Sequence, residues 1–170
     1  MHDGVLAVAD SQLAKHKVCS LRFNFRGVGA SEGSYDNGQG EADDVLAAVA
    51  WMQAQYPDLP CLLLGYSFGA AAAWRAAGKT SAGLNALWLI APPVGMFDMS
   101  AAPQDVPITL LHPANDDFTS VEALRRWSAG LSGEPPTEVM IEQANHFFGN
   151  AQDALADAIA NQATRLLEDS

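Results

Sequence analysis

Cysteine is scarce in this chain of 170 residues: Cys19 and Cys61 are the two examples, each in or beside an apolar, strand-like run. Two thiols that read as small buried hydrophobes argue against a disulfide-stapled fold and fit a reducing, cytoplasmic setting. Basic residues are scarce as well. Nine lysines and arginines against twenty acidic residues leave a formal charge of −11, so phosphate backbones and anionic lipid are repelled, and neither nucleic acid nor a membrane is an expected partner. No run approaches the roughly 18 apolar residues of a membrane helix, and the first residues lack the basic and apolar regions of a secretion signal. Charged residues make up 17% and hydrophobic ones 49%, which excludes a disordered chain. The sequence lacks internal repeats, low-complexity tracts and a linker, and its length suits one domain, residues 1–170, by the rule of about 100 to 200 residues per domain.

What is present is organised around Cys61-Leu-Leu-Leu-Gly-Tyr-Ser-Phe-Gly-Ala70. A short apolar run ends in Gly65-Tyr-Ser-Phe-Gly69, and the alanine-rich stretch from Ala70 to Ala77 reads as helix. Strand, sharp turn and helix with a serine at the apex make a nucleophile elbow, a turn expected to demand glycine two residues before and two after the serine. A five-residue G-x-S-x-G pattern arises by chance often enough that the rest of the chain has to support it.

Val5, Leu6, Ala9 and Leu13 recur at near-helical spacing and predict an amphipathic helix up to Lys17. Val18 to Phe25 is rich in β-forming residues and predicts a strand, followed by turn chemistry from Arg26 to Gly33. A second helix is predicted from near Glu41, with Val45, Val49 and Met52 on its buried face and Pro57 and Pro60 stopping it. After the serine helix come strands at Leu84–Ile90, Ile108–Leu111 and Thr137–Ile141, an irregular segment from Met96 to Val106, and helices marked by Val121, Leu124 and Trp127 and by Leu155, Ile159 and Leu166. Trp51, Trp74, Trp88 and Trp127 read as core. Five strands alternating with helices predict an α/β fold, a mostly parallel sheet covered on both faces in a three-layer α/β/α sandwich.

In such sheets ligands bind beyond the carboxyl ends of the strands. Ser67, the Asp116-Asp117 pair and His146 each follow a predicted strand, so all three fall on that edge. A serine hydroxyl needs a base to become a nucleophile, histidine suits that task near neutral pH, and a carboxylate on its second nitrogen fixes the tautomer. Asp116 or Asp117 can supply it. The chain order Ser, Asp, His is the one expected of an α/β-hydrolase and is independent of the elbow itself. Phe68, the residue after the serine, offers a backbone N–H to a developing oxyanion.

Arg22-Phe-Asn-Phe-Arg-Gly-Val-Gly-Ala-Ser-Glu-Gly33, the Gly38-Gln-Gly-Glu41 helix entry, Gly65-Tyr-Ser-Phe-Gly69 and Asn145-His-Phe-Phe148 together resemble a compact bacterial group of α/β-hydrolases without a cap domain, similar in build to the dienelactone hydrolases. The resemblance covers nearly the whole chain. It implies Ser67 as nucleophile, His146 as base and Asp116 as acid, since the group's aspartate stands four residues after the position His112 occupies. The group has glycine where this chain has Pro113, so Asp117 stays the alternative. It also implies an additional strand and a glycine loop before the first helix, the loop giving the second oxyanion N–H. The present sequence is expected to lack both, as an N-terminally shortened form. That strand lies between the Val18 and Cys61 strands in the group's fold, so either those two pair directly here or a gap separates them.

Several patterns are decoys. Gly27-Val-Gly29-Ala-Ser-Glu-Gly33 nearly spells a dinucleotide fingerprint, but its sixth position is Glu32 and no helix follows at once. Gly78-Lys-Thr80 imitates a phosphate loop but has Ala73 where that loop needs glycine. No cofactor is expected. His112, Asp116 and His146 lack a third ligand at a readable zinc spacing, so no metal is expected and His112 reads as structural. Arg22 and Arg26 are expected to pair with Glu32, Asp36 or Glu41. The expected function is a serine hydrolase acting on a small-molecule carboxylic ester or thioester. The alternative is a weak or inactive hydrolase-like remnant that binds a ligand or partner through an incomplete sheet. A homo-oligomer is compatible with either, and the loop bearing Met96, Phe97 and Met99 points to an apolar substrate group.

Overall fold

The leucine-rich run Leu62–Tyr66 becomes a strand and the alanine-rich run after it a helix, and further strands and helices follow along the chain. The computed structural model describes residues 3–168. Its elements are α1 (Gly4–Lys15), α2 (Gln39–Gln55), β1 (Leu62–Tyr66), α3 (Phe68–Lys79), β2 (Ala86–Ile90), β3 (Ile108–Asn115), α4 (Val121–Ser128), β4 (Thr137–Asn145) and α5 (Gln152–Glu168). The strands lie side by side in chain order, and all three pairings are parallel.

Side chains on a strand alternate between faces, and β2 shows what this does to packing. Trp88 and Ile90 pack with Leu111 and Ile141, beneath Val5, Ala9 and Leu13 of α1 and Leu155 and Ile159 of α5. Leu87 and Leu89 face the other way, with Leu110, against Trp74 and Ala77 of α3 and Leu124 of α4. Two apolar clusters on opposite faces of one parallel sheet make the three-layer α/β/α sandwich.

Helix starts are set by capping. The Asp3 carboxylate accepts from the Leu6 N–H at 2.9 Å, and Ser120 accepts from the Ala123 N–H at 3.2 Å. Glu41 is 1% exposed, and its two carboxylate oxygens take the N–H groups of Asp36 and Gly38 at 2.9 and 2.8 Å, tying the preceding loop to the start of α2.

Several expectations require correction. Val18 to Phe25 is not a strand: it forms no ladder with any of the described residues, and extended backbone without a pairing partner makes no sheet. The direct pairing with the Cys61 strand therefore does not occur. Instead, an apolar slot of about 480 Å³ is lined by this segment, among others Val18, Leu21 and Phe23, and by Leu62 and Leu64 of β1. Cys19 is exposed, Cys61 is half-buried, and both are free thiols. Trp51 is not core but 52% exposed, whereas Trp74 and Trp88 are buried. Strands β3 and β4 run several residues further than predicted. Beyond Leu111, β3 is paired with β4 alone, so Pro113 sits where its missing N–H interrupts only one possible ladder.

Candidate active site

Leu62 to Tyr66 delivers the chain into a sharp turn, where Ser67 takes φ 51° and ψ −120° before α3 begins at Phe68. A non-glycine residue in that region is strained, and the surroundings hold it there. The Ser67 N–H donates to the Ile90 carbonyl at 2.9 Å, so the end of β2 anchors the turn. Gly65 is required: a Cβ on it would stand 2.3 Å from the Gly69 carbonyl oxygen. Gly69 is different from expectation. A Cβ there would meet nothing within 4 Å, because the residue borders the open slot beneath β1.

His146 follows the last residue of β4, in a tight turn closed by the Phe148 N–H donating to the Asn145 carbonyl at 3.0 Å. Its Nε2 lies 2.9 Å from Ser67 Oγ, and its Nδ1 lies 2.9 Å from Asp116 Oδ2. A carboxylate only accepts, so Nδ1 carries the proton and Nε2 is left to accept from the serine hydroxyl. Asp116 follows the end of β3, and its other oxygen accepts from the N–H groups of Phe118 and Thr119 at 2.8 and 3.1 Å. The Asp116 side chain is 1% exposed and that of His146 6%, so their hydrogen bond is shielded from water. Between the two open candidates, the histidine meets Asp116. Asp117 is exposed and makes no such contact.

Phe68 is the first residue of α3, and its N–H has no hydrogen-bond partner among the described residues, as befits the unpaired amides of a helix start. This group can receive negative charge at the serine. Tyr66, which the sequence did not single out, donates its hydroxyl to the His146 carbonyl at 3.0 Å. Burial, helped by the charges of Asp3 and Asp116, pushes the Tyr66 phenol up to about 12, so it stays a donor at neutral pH.

Behind the acid, His112 is fully buried on β3, with both ring nitrogens outside hydrogen-bond geometry. Burial is the main influence on its pKa and pushes it down, holding the ring neutral. Among the described residues, no group of three or more His, Cys, Asp or Glu side chains converges to hold a metal ion.

The loop leading to α2 is held by a different ion pair from the one expected. Arg26 pairs with Asp44, through its Nη2 at 2.7 Å, its Nε and its backbone N–H, and the hydrogen bond from Arg26 holds the Asp44 carboxyl below the usual range. Gly40 leaves the room this needs, since a Cβ there would come within 1.9 Å of the guanidinium. Arg22 reaches Asp10 of α1 at 3.5 Å.

Aromatic rings surround the serine in two separate groups. Phe118 and Phe147 pack edge-on against the His146 ring, with centroids 4.5 and 5.3 Å away. Phe68 packs against Phe25, Tyr35 and Phe97 at 5.5, 5.8 and 5.3 Å. Met99, expected near the substrate, is instead buried beneath Trp127, whose indole N–H donates to its carbonyl. Neither Phe118 nor Phe147 carries a periodic signal; only their positions beside the acid and the base could have marked them.

Comparison with known proteins places the chain in a family. Residues 2–104 match the family described as serine aminopeptidase, S33. An uncharacterized protein of Rickettsia prowazekii is 33% identical over 168 residues, covering 94% of this chain and 70% of that protein. The structure of an α/β serine hydrolase without a lid from Xanthomonas campestris superimposes with a TM-score of 0.89 at 34% identity, covering 97% of this chain and 74% of that one. An α/β serine hydrolase homologue from Coxiella burnetii gives a TM-score of 0.88 at 28% identity, covering 95% and 77%. No helix among the described residues is long and apolar enough to cross a membrane. By sequence family and by fold, the chain belongs to the α/β-hydrolase superfamily and is a hydrolase.

Proposed function

We propose that this hydrolase cleaves carboxylic esters or thioesters of small molecules through an acyl-enzyme on Ser67. The observation that carries the reading is the unbroken hydrogen-bonded line from Ser67 Oγ through His146 to the shielded Asp116 carboxylate. His146 Nε2 takes the serine proton as Oγ attacks the ester carbonyl, and Asp116 stabilises the imidazolium through Nδ1–H. The Phe68 N–H donates to the oxyanion of the tetrahedral intermediate. His146 then gives its proton to the departing alcohol or thiol. A water, deprotonated by the same nitrogen, releases the acid and restores the serine. A fluorophosphonate probe is expected to label Ser67 and to leave Ser67→Ala unlabelled; folded wild-type protein that resists the probe overturns the proposal. His146→Ala is expected to abolish turnover with the fold retained.

The apolar slot beside β1 favours a second reading, in which the incomplete sheet binds a polypeptide strand. Only one oxyanion donor is identified at Ser67, and loss of such a donor costs about 10²–10³ in turnover. A protein that resists the probe yet protects the β1 amides from hydrogen exchange when an apolar strand peptide is added supports this reading over the first.

A further inference from the structure

The two aromatic groups around Ser67 have unequal chemical positions. In the proposed reaction the leaving alcohol must collect its proton from His146 Nε2, so the alcohol half of the ester lies on the histidine side of the serine. The rings on that side are Phe118 and Phe147. They are 47% and 62% exposed, and their centroids stand 6.2 Å apart at 87°. Two large apolar side chains packed on the ring of a shielded His–Asp pair, and each still about half open to water, form an exposed apolar surface at the base. Among the described residues no ring contact joins this group to the one around Phe68, which begins at the oxyanion donor.

We propose that Phe118 and Phe147 form the wall against which the alcohol half of the substrate docks, so that the enzyme selects esters of apolar, uncharged alcohols. This rests on the acyl-enzyme reading above and adds a division of labour to it. Edge-on packing leaves ring surface for an aromatic or branched alkyl group to cover. Asp117, exposed between Asp116 and Phe118 in the chain, and the overall charge of −11 oppose an anionic alcohol.

The test uses two ester series on the full chain. One holds the acyl group as acetyl and changes the alcohol from ethyl to benzyl. The other holds ethyl and lengthens the acyl group from acetyl to octanoyl. Phe147→Ala and Phe118→Ala are expected to lower the benzyl-to-ethyl ratio of kcat/KM on the order of tenfold, the scale of a lost apolar contact in a pocket. The octanoyl-to-acetyl ratio is expected to stay within about twofold, and Phe147→Leu to recover part of the benzyl preference. Fluorophosphonate labelling of each variant reports whether fold and serine are intact. Labelled variants whose benzyl-to-ethyl ratio does not move, or moves equally with the acyl ratio, overturn this proposal while leaving the acyl-enzyme intact. A wild type that is not labelled removes both.

Discussion

Strands β1 and β2 are neighbours built from the same kind of sequence, Leu-Leu-Leu-Gly-Tyr and Ala-Leu-Trp-Leu-Ile, yet they live in different environments. Every residue of β2 is buried, while in β1 only Gly65 is. A strand apolar on both faces is the mark of a sheet interior. β2 has that interior, with a neighbour on each side. β1 has a neighbour on one side and an apolar slot on the other. The strand that carries Ser67 is therefore the less supported of the two, and its turn borrows rigidity from β2 through the Ser67 N–H to Ile90 bond. One strand presents Ser67 and its neighbour holds it in place.

The sharpest way to separate the two roles is at the turn itself. Ser67→Ala is expected to lower esterase turnover by about 10⁶ in the manner of serine hydrolases that lose their nucleophile, with no loss of thermal stability, because it deletes one hydroxyl and leaves the fully buried β2 intact. A variant that loses activity and stability together would merge the roles. Next comes the packing contrast. Leu89→Ala, in the fully buried strand, is expected to cost about 2–5 kcal/mol by chemical denaturation, and Leu64→Ala, half-buried beside the slot, clearly less. Equal costs would mean that β1 is as enclosed as β2.

A smaller effect distinguishes the two glycines of the elbow. Gly65→Ala drives a Cβ into the Gly69 carbonyl and is expected to cost about 1–3 kcal/mol and to slow probe labelling. Gly69→Ala faces open space and is expected to change neither by a measurable amount. If Gly69→Ala is the more damaging, the slot is occupied in the working protein.

The smallest effect lies on the other side of β2, where His112 is buried neutral on β3. Its folded pKa is depressed, so below about 6.5 the unfolded chain takes a proton that the folded chain refuses. Stability is then complete above that pH and falls as the pH drops toward the folded value. His112→Phe is expected to flatten this acid-side slope in urea titrations carried out as the pH falls below about 6.5, whatever it does to stability at pH 8.

Much of the molecule was legible because its signals are local. The alanine run of α3, the leucines of β1 and the apolar spacing of α1 and α5 each specify an element without reference to the rest. Ser67, Asp116 and His146 could be placed on one edge because each follows a strand in a parallel sheet. Val18 to Phe25 failed for the opposite reason: its composition fits a strand, but a strand needs a second backbone beside it, and no sequence window contains that. Arg26 found Asp44 rather than Glu41 because Glu41 was already engaged by the amides of Asp36 and Gly38. Trp51 stayed in water because α2 turns Ala42 and Val45, not Trp51, toward the interior.

By itself, then, the sequence determined the order of helices and strands from α2 onward, the parallel sheet and the edge where the polar residues gather, since periodicity, turn chemistry and chain order are properties of neighbours in the chain. The tertiary structure alone decided that Asp116 and not Asp117 meets His146, that β1 borders a slot, that backbone crowds Gly65 and leaves Gly69 open, and that Phe118 and Phe147 stand against the histidine. Those outcomes depend on hydrogen-bond partners, burial and open space supplied by segments far apart in the chain, which only come together when the sheet forms.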